Sequence, residues 1–184
     1  DLRDKKATES ILEALNNFII SNQINITQVI GIGISMPGFV DSETGLNESY
    51  NEDSPLYNIR KLFEQKFKVP AIIDNDSRCI ALAERKFGEA KDSSHSLVIN
   101  LIWGVGLGIL NNDDIFKGTS GYAGEFSHIP LSDTLTLCSC GKRGCLETYD
   151  GDPGLIRAGQ EYAATGKITT PVHDLDDLLA LAQN

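Results

Sequence analysis

The stretch Val69-Pro-Ala-Ile-Ile-Asp-Asn-Asp-Ser-Arg-Cys-Ile-Ala-Leu-Ala-Glu-Arg-Lys-Phe87 passes from one structural pattern to another near its middle. The mostly apolar run from Val69 to Asp74 predicts a short buried strand. Cys79 to Phe87 is rich in small apolar residues and predicts a buried helix, with helix-capping side chains at Asp74 to Ser77. A strand followed by a helix is the repeating unit of an α/β fold, in which ligands bind where strands end.

The flanking sequence continues this alternation of strands and helices. Bulky residues alternate with glycines from Val29 to Ser35, which predicts a strand that stops at Met36-Pro37-Gly38. The sequence from Ser96 to Phe116 predicts a β-hairpin with a turn at Asn111 to Asp114. Apolar spacing and capping residues predict further helices at Ala7 to Ile20, Asn58 to Phe67, Pro153 to Thr165 and Leu175 to Ala182. We expect residues 1–95 to form part of an N-terminal α/β lobe and residues 96–184 to begin a second one.

The composition narrows the class of protein. The chain has 41% hydrophobic and 23% charged residues, as in ordinary globular proteins. No run approaches the ~20 apolar residues of a membrane span, and no leader opens the chain, so we expect a cytoplasmic protein without a membrane partner. The net charge of -10 repels nucleic acid, so this segment should not bind DNA itself. Because the chain starts at Asp1 and stops inside a predicted helix, we expect it to be part of a longer protein.

Three cysteines lie within eight residues in Cys138-Ser-Cys140-Gly-Lys-Arg-Gly-Cys145, and His128 lies ten residues upstream of the first. Two glycines in this stretch allow the backbone to turn the sulfurs toward one point. Three thiolates and one imidazole complete a tetrahedral shell, as in a structural zinc site. The alternatives are a disulfide with an unrelated third cysteine, and three inert buried thiols. Cytosolic disulfides are rare, and the flanking Ser139, Lys142 and Arg143 fit poorly with buried thiols.

Several carboxylates lie where they could meet a hydroxyl-rich ligand. Asn75 and Asp76 fall at the predicted junction of strand and helix, where Asp76 could bind a hydroxyl group or only cap the helix. Glu125 lies three residues before His128, and Glu147 lies two residues after Cys145. A closed metal site would hold both glutamates near one another. Carboxylates on one rigid frame suit polyhydroxyl ligands, since each can accept from two adjacent hydroxyls.

The glycine-rich run Gly104-Val-Gly106-Leu-Gly108 invites comparison with a phosphate-binding loop. The pattern is weak, because glycines also mark strands packed against close backbones and no Gly-Lys-Ser/Thr sequence follows. Three further glycines, Gly118, Gly121 and Gly124, could form a flexible segment that leads to Glu125. They could equally mark ordinary turns.

Together these motifs resemble the ROK family, named for repressors, open reading frames and kinases, and within it the N-acetylglucosamine and xylose repressors most. The resemblance runs from about Ile30 to Glu147. The motifs that carry it are Gly33-Ile-Ser-Met-Pro-Gly38, Asp74-Asn-Asp76, Gly104-Val-Gly-Leu-Gly108, Gly124-Glu-Phe-Ser-His128 and Cys138-Ser-Cys-Gly-Lys-Arg-Gly-Cys-Leu-Glu147. The last two motifs, with their ten-residue offset, are highly specific.

The resemblance implies an actin- and hexokinase-like fold, related to ribonuclease H, in which two α/β lobes close on a sugar. It also implies that six residues face that sugar, with His128 both binding zinc and touching a hydroxyl: Gly38, Asn75, Asp76, Glu125, His128 and Glu147. In the kinases of the family, the aspartate that matches Asp76 is the general base that activates the sugar hydroxyl toward ATP and Mg²⁺. Ser127 stands where the family usually has glycine.

The family contains both kinases and repressors, and two features favour a repressor. Nothing in the chain matches the Asp-x-Gly-x-Thr phosphate loop of the kinases, although an upstream segment could hold it. Kinases typically have Gly-Thr where this chain has Ile102-Trp103, and an indole cannot replace a threonine hydroxyl at a phosphate. Gly104, Gly106 and Gly108 would then be a vestigial phosphate loop.

The hypothesis is therefore a sugar-binding effector domain of a transcriptional repressor whose winged-helix DNA-binding domain lies upstream. The ligand would be a sugar or sugar phosphate, and the family suggests a dimer or tetramer. The rival hypothesis is an ATP-dependent hexose or N-acetylhexosamine kinase. A zinc-stabilised interaction module is a third, but it leaves Asp76 and Glu125 unexplained.

Overall fold

A computed structural model of the chain describes residues 5–101, 104–131, 136–150, 152–166 and 171–182. The helices are α1 (Lys5–Ser21), α2 (Ile59–Phe67), α3 (Asp76–Phe87), α4 (Glu147–Asp150), α5 (Asp152–Ala164) and α6 (Leu175–Ala182). The strands are β1 (Ile32–Met36), β2 (Val40–Asp41), β3 (Leu46–Asn47), β4 (Ala71–Asn75), β5 (His95–Leu101), β6 (Val105–Asn111) and β7 (Asp114–Ile115). Short 3₁₀ helices span Ile26–Gln28 and Phe126–His128. The predicted mixture of strands and helices is confirmed.

The chain divides into two compact units. The first unit contains Asp1–Cys79 and Gly118–Tyr122, and the second contains Ile80–Lys117 and Ala123–Asn184. The boundary therefore falls inside α3. The sequence-based division into lobes at residue 95 remains a prediction.

The first unit is built on a parallel pair of strands. Strand β1 pairs with β4 from Ile32 opposite Ala71 to Met36 opposite Asn75. Helix α2 lies between them in sequence, as parallel pairing requires a long crossover. One face of this pair packs on a core that includes Leu56, Phe63 and Ile73, against which the apolar side of α1 also packs. The carboxyl ends of both strands thus lead into Pro37-Gly38 and into Asn75-Asp76.

Two element boundaries differ from the sequence-based prediction. Strand β1 begins at Ile32 rather than at Val29, because Val29 caps the preceding 3₁₀ helix. Helix α3 begins at Asp76 rather than at Cys79, and β4 runs as far as Asn75. The stretch Asp74 to Ser77 is therefore shared between the end of a strand and the start of a helix.

The second unit contains an antiparallel sheet in the order β5-β6-β7. Its turn between β6 and β7 has positive φ at Asn112 and Asp113, which confirms the predicted turn and suits the two-residue hairpin connections that these residue types favour. Leu110 and Ile115 are buried on one face, together with Ala81 of α3. Among the described residues, no helix is both long and apolar enough to cross a bilayer.

Candidate functional site

The predicted metal ligands converge in the second unit. One donor atom from each of His128, Cys138, Cys140 and Cys145 lies within 4.8 Å of the other three. His128 Nδ1 is 3.4 Å from Cys138 Sγ, and Cys140 Sγ is 3.8 Å from Cys145 Sγ. Tetrahedral zinc with bonds of about 2.3 Å to sulfur and 2.0–2.1 Å to nitrogen would separate sulfurs by about 3.8 Å and sulfur from nitrogen by about 3.6 Å. The four side chains therefore fit a metal ion of this kind.

The alternatives to a metal site do not fit the cysteines. All three thiols are free, so the sulfurs are not joined in a disulfide. Cys138 and Cys145 are buried while Cys140 is partly exposed, yet all three face one imidazole. Inert thiols buried separately in a core would not converge on a histidine nitrogen.

A small hairpin brings the cysteines together. Leu137 bridges Arg143 in antiparallel fashion, and the Cys138 N–H donates to Lys142 O at 2.8 Å. Gly141 and Gly144 have φ of 86° and 67°, as their place between the cysteines predicted. A second bridge joins Pro130 to Cys145 and carries the last cysteine back toward His128.

The thiols differ in how readily they ionise in the absence of a cation. Burial raises the pKa of the Cys145 thiol to about 11, and its hydrogen bonds to Cys140 and Cys138 act in the same direction. Burial also opposes ionisation of Cys140, but hydrogen bonds from the Lys142 backbone and the neighbouring thiols lower its pKa below the ordinary value. Cys140 would therefore lose its proton before Cys145. A bound cation drives the deprotonation of all its thiol ligands, so metal binding should release protons.

The imidazole of His128 faces the cysteines on one side and two carboxylates on the other. Its Nε2 lies 4.0 Å from Glu125 Oε2 and 3.9 Å from Glu147 Oε2. The side chains of both glutamates are about one third exposed, at 29% and 30%, so they can meet a ligand. This confirms that the three residues lie together, as the sequence predicted.

The path to Glu125 depends on Gly124. Its φ is 101°, and a Cβ at this position would lie 2.3 Å from Leu107 O of β6. Because a backbone oxygen cannot move aside easily, only glycine fits here. Ser127 lies next to His128 in a short 3₁₀ helix and is buried without positive φ. A serine is therefore compatible with this backbone where the family usually has glycine.

The glycines of the predicted phosphate loop lie along a strand. Gly106 and Gly108 are within β6, opposite Asn100 and Val98 of β5. Gly104 precedes this strand, and a Cβ there would meet Glu147 Cδ at 3.5 Å, an ordinary contact. Ile102 and Trp103 lie outside the described residues. The role of these glycines at a phosphate remains a prediction.

The first unit brings three other predicted residues together at the ends of β1 and β4. Asn75 Nδ2 donates to Gly38 O at 3.1 Å. The Asn75 Oδ1 accepts from the Ser77 and Arg78 backbone N–H groups, so Asn75 is the capping residue of α3. Gly38 has φ of 107°, and a Cβ would lie 2.5 Å from Ser49 Oγ.

Asp76 follows this cap and does not replace it. Its Oδ1 accepts from the Ser77 N–H at 2.8 Å and contacts Ser77 Oγ at 3.3 Å. No hydrogen bond to its Oδ2 occurs within the described residues. Since Asn75 already caps the helix, one oxygen of Asp76 can serve a ligand.

Sequence reasoning missed the polar side chains that support this turn. Asn47 is fully buried; its amide donates to Pro37 O at 2.9 Å and accepts from the Ser49 N–H at 3.1 Å. Ser49 Oγ accepts from the Phe39 N–H at 2.8 Å. Arg78, whose side chain is 4% exposed, was also missed. The run Leu46-Asn-Glu-Ser49 between turn-forming residues was a signal for a polar loop, but not for its partners.

The geometry thus defines a class: an α/β protein with a Cys₃His group that could hold a metal ion, two flanking carboxylates and a turn at its strand ends that side-chain amides support. Comparison with known proteins agrees. The sequence model of the ROK family matches residues 3–178, and the chain belongs to the ROK family. Its fold is the actin- and hexokinase-like α/β fold of that family, present here in part.

Relatives of both kinds are found. The chain is 29% identical over 150 residues to the xylose repressor of Bacillus subtilis, and the alignment covers 82% of this chain and 39% of the repressor. It is 33% identical over 171 residues to a glucokinase of Halalkalibacterium halodurans, covering 92% of this chain and 52% of the glucokinase. A solved ROK-family transcriptional regulator, a homologue of the Escherichia coli MLC protein, superimposes with a TM-score of 0.76 at 27% identity. That match covers 95% of this chain and 45% of the regulator, so the chain spans about half the length of its relatives or less.

Proposed function

We propose that this chain is part of the sugar-binding effector domain of a ROK-family transcriptional repressor. The observation that carries the proposal is the arrangement around His128, whose Nδ1 faces Cys138 while its Nε2 faces Glu125 and Glu147. The imidazole of His128 thereby connects the proposed metal site to the carboxylates of Glu125 and Glu147.

This arrangement suits a ligand with neighbouring hydroxyl groups. The distances of 3.9–4.0 Å from Nε2 to the two carboxylates are longer than a direct hydrogen bond. A sugar hydroxyl between them could accept from the ring N–H and donate to a carboxylate oxygen. We propose that the ligand is a sugar or sugar phosphate and that it contacts the six residues that the family resemblance implies: Gly38, Asn75, Asp76, Glu125, His128 and Glu147.

The metal proposed for the cluster is zinc, held by His128, Cys138, Cys140 and Cys145. Four protein ligands leave no open position for catalysis, so the ion supplies a fixed frame. The hairpin between Cys138 and Cys145 contains little regular structure of its own and would depend on that frame. A metal-binding histidine commonly places its other ring nitrogen toward a carboxylate, as His128 does.

A repressor is favoured over a kinase by the sequence at Ile102-Trp103. Kinase chemistry depends on holding the transferred phosphoryl group, and tryptophan offers it neither a hydroxyl nor a compact donor. The second candidate remains an ATP- and Mg²⁺-dependent hexose or N-acetylhexosamine kinase. The observation that favours it is Asp76, whose Oδ1 is held by Ser77 while its Oδ2 could accept a proton from a sugar hydroxyl.

As a repressor, the whole protein would act in the cytoplasm as a homo-oligomer and bind DNA through an upstream winged-helix domain. The net charge of -10 in this chain argues against DNA binding by the chain itself. A sugar would control DNA binding only if it bound one conformation of the protein more tightly than another.

Turnover of ATP by the full-length protein separates the two candidates. With hexoses and N-acetylhexosamines as acceptors, we expect no sugar-dependent ADP formation, and we expect at least one of these sugars to release the protein from its operator DNA. Robust sugar phosphorylation would refute the proposal of a repressor without enzyme activity. Asp76→Asn should then abolish that turnover.

Sugar binding itself is tested with Glu125→Ala. Removing a charged acceptor should cost about 1.5–3 kcal/mol, which corresponds to roughly 10- to 100-fold weaker binding in calorimetry. Glu161→Ala, which removes a glutamate from the exposed side of α5, is the matched control and should leave binding unchanged. An unaltered dissociation constant in Glu125→Ala would refute its role.

A further inference from the structure

A buried arginine that the proposed function does not use lies beside the strand ends of the first unit. The Arg78 residue is 3% exposed. Its Nε donates to Asp74 Oδ1 at 2.6 Å, its Nη2 to Val40 O at 2.6 Å and its Nη1 to Gly121 O at 2.5 Å. Each of the three guanidinium nitrogens therefore donates a hydrogen bond, and the three acceptors belong to three different segments of the chain.

Each of the three partners stands just before or after a proposed sugar contact. Val40 follows Gly38 by two residues, and Asp74 directly precedes Asn75. Gly121 precedes Glu125 by four residues. Three segments that are far apart in sequence thus meet at one side chain.

The segment that contains Gly121 has a second attachment. Tyr122 Oη donates to Glu48 Oε2 at 2.8 Å, and its ring meets the Phe39 ring edge-on with centroids 5.8 Å apart. Gly118–Tyr122 groups with the first unit, although the residues on both sides of it belong to the second. The contacts of Tyr122 with Phe39 and Glu48 therefore hold this segment against the chain that follows Gly38.

The chemistry of arginine explains why one residue can do this. A guanidinium is planar and presents its donors in a rigid fork, so three acceptors around it have defined directions. Asp74 alone would compensate its charge. The two carbonyl groups add nothing to charge balance, but they tie two further segments to the same frame.

We propose that Arg78 is a positioning residue for the ligand, holding residues 38–41, 74–77 and 118–122 of the first unit in the one arrangement that presents the sugar contacts of that unit. The consequence for sugar affinity rests on the function proposed above. The arrangement of the three segments does not depend on that function, and it can be measured without a ligand.

The test compares Arg78→Lys with the wild type in the full-length protein. A lysine keeps the charge but cannot reach three acceptors in fixed directions. We expect amide hydrogen exchange to rise at least tenfold in all three segments and the sugar dissociation constant to rise at least tenfold, with zinc content unchanged. Arg85→Lys is the matched control, because Arg85 lies on the same helix and pairs instead with Asp113 and Lys91 O. It should alter neither measurement.

The outcomes separate this inference from the proposed function. If the wild type binds no sugar, the proposed function fails, and hydrogen exchange alone decides the inference. Faster exchange in all three segments supports it, whereas faster exchange in one segment, or in none, overturns it. An unchanged sugar dissociation constant in a folded Arg78→Lys protein also overturns it. If neither Arg78→Lys nor Arg78→Gln folds, the role of Arg78 is structural only and the proposal is wrong.

Discussion

The two groups of proposed ligand contacts are held in place by different means. In the second unit, Glu125 and Glu147 flank a histidine that belongs to a group of four side chains able to hold a metal ion. In the first unit, side-chain hydrogen bonds hold the backbone at Pro37, Gly38, Phe39 and Val40, and they come from Asn47, Asn75, Ser49 and Arg78. The described residues of this unit contain no candidate metal cluster. A cluster of side-chain ligands can order a segment that has little core of its own, while a segment over a packed core needs only its polar groups satisfied.

This difference predicts that each group of contacts can be disturbed without the other. Changes at the cluster should loosen Glu125 and Glu147 and leave the Gly38 turn intact. Changes beneath the Gly38 turn should do the reverse. Two substitutions test this separation, and a third tests a single contact of the first unit; they follow in order of decreasing effect.

The largest effect is expected from Cys140→Ser. Losing one of four ligands should release the metal, and a protein measured with free zinc about 1,000-fold above its dissociation constant would lose on the order of 4 kcal/mol of stability. Metal analysis and denaturant unfolding would measure both changes, with Ser94→Ala, at an exposed position of the second unit, as the control. Hydrogen exchange at residues 37–49 should stay at the wild-type rate. Unchanged zinc content in Cys140→Ser would contradict the assigned ligand set.

A smaller effect is expected from Asn47→Ala. The substitution removes a fully buried amide together with its hydrogen bonds to Pro37 O and the Ser49 N–H, which should destabilise the protein by about 1–3 kcal/mol. Denaturant unfolding would measure the loss, and zinc content should not change. Asn51→Ala, at an exposed position of the same loop, should be nearly neutral. Loss of metal from Asn47→Ala would show that the two groups of contacts are not independent.

The smallest effect is expected from Tyr122→Phe, which keeps the ring contact with Phe39 but removes the hydrogen bond to Glu48. That hydrogen bond to a carboxylate raises the pKa of Tyr122 from 10 to about 12. Because the folded protein holds this proton more tightly, the bond stabilises fully below about pH 10 and is lost between about pH 10 and 12. We expect a loss of about 0.5–1 kcal/mol at neutral pH.

Ultraviolet titration of tyrosinate measures the same group directly. The wild type should show one tyrosine ionising near pH 12 that is missing from Tyr122→Phe. Tyr162→Phe removes an exposed tyrosine of the second unit and controls for the change in tyrosine number. If Tyr122→Phe still shows the tyrosine that ionises near pH 12, that tyrosine is not Tyr122, and the hydrogen bond to Glu48 is ruled out.

The sequence predicted the elements and the metal cluster well, for local reasons. Helix α6 has the predicted bounds, and α1, α2 and α5 agree within one or two residues at each end, because apolar spacing and capping residues lie within the segment they specify. The cysteines could be grouped because eight residues contain all three. The starts of β1 and α3 shifted by three residues, because a 3₁₀ helix precedes β1 and Asn75 caps α3. Strand β4 shifted by one or two residues at each end, and the short elements β2, β3 and α4 were not predicted.

By itself, then, the sequence determined the α/β class, the convergence of His128 with the three cysteines, and the proximity of Glu125 and Glu147 to His128. Only the tertiary structure decided how Gly38 is supported and where Arg78 binds. Asn47 reaches Pro37 across ten residues, and Arg78 reaches Val40 and Gly121 across 38 and 43. The acceptors in these contacts are backbone carbonyl groups, which every residue has. Their positions therefore follow from how the chain packs rather than from any residue pattern along it.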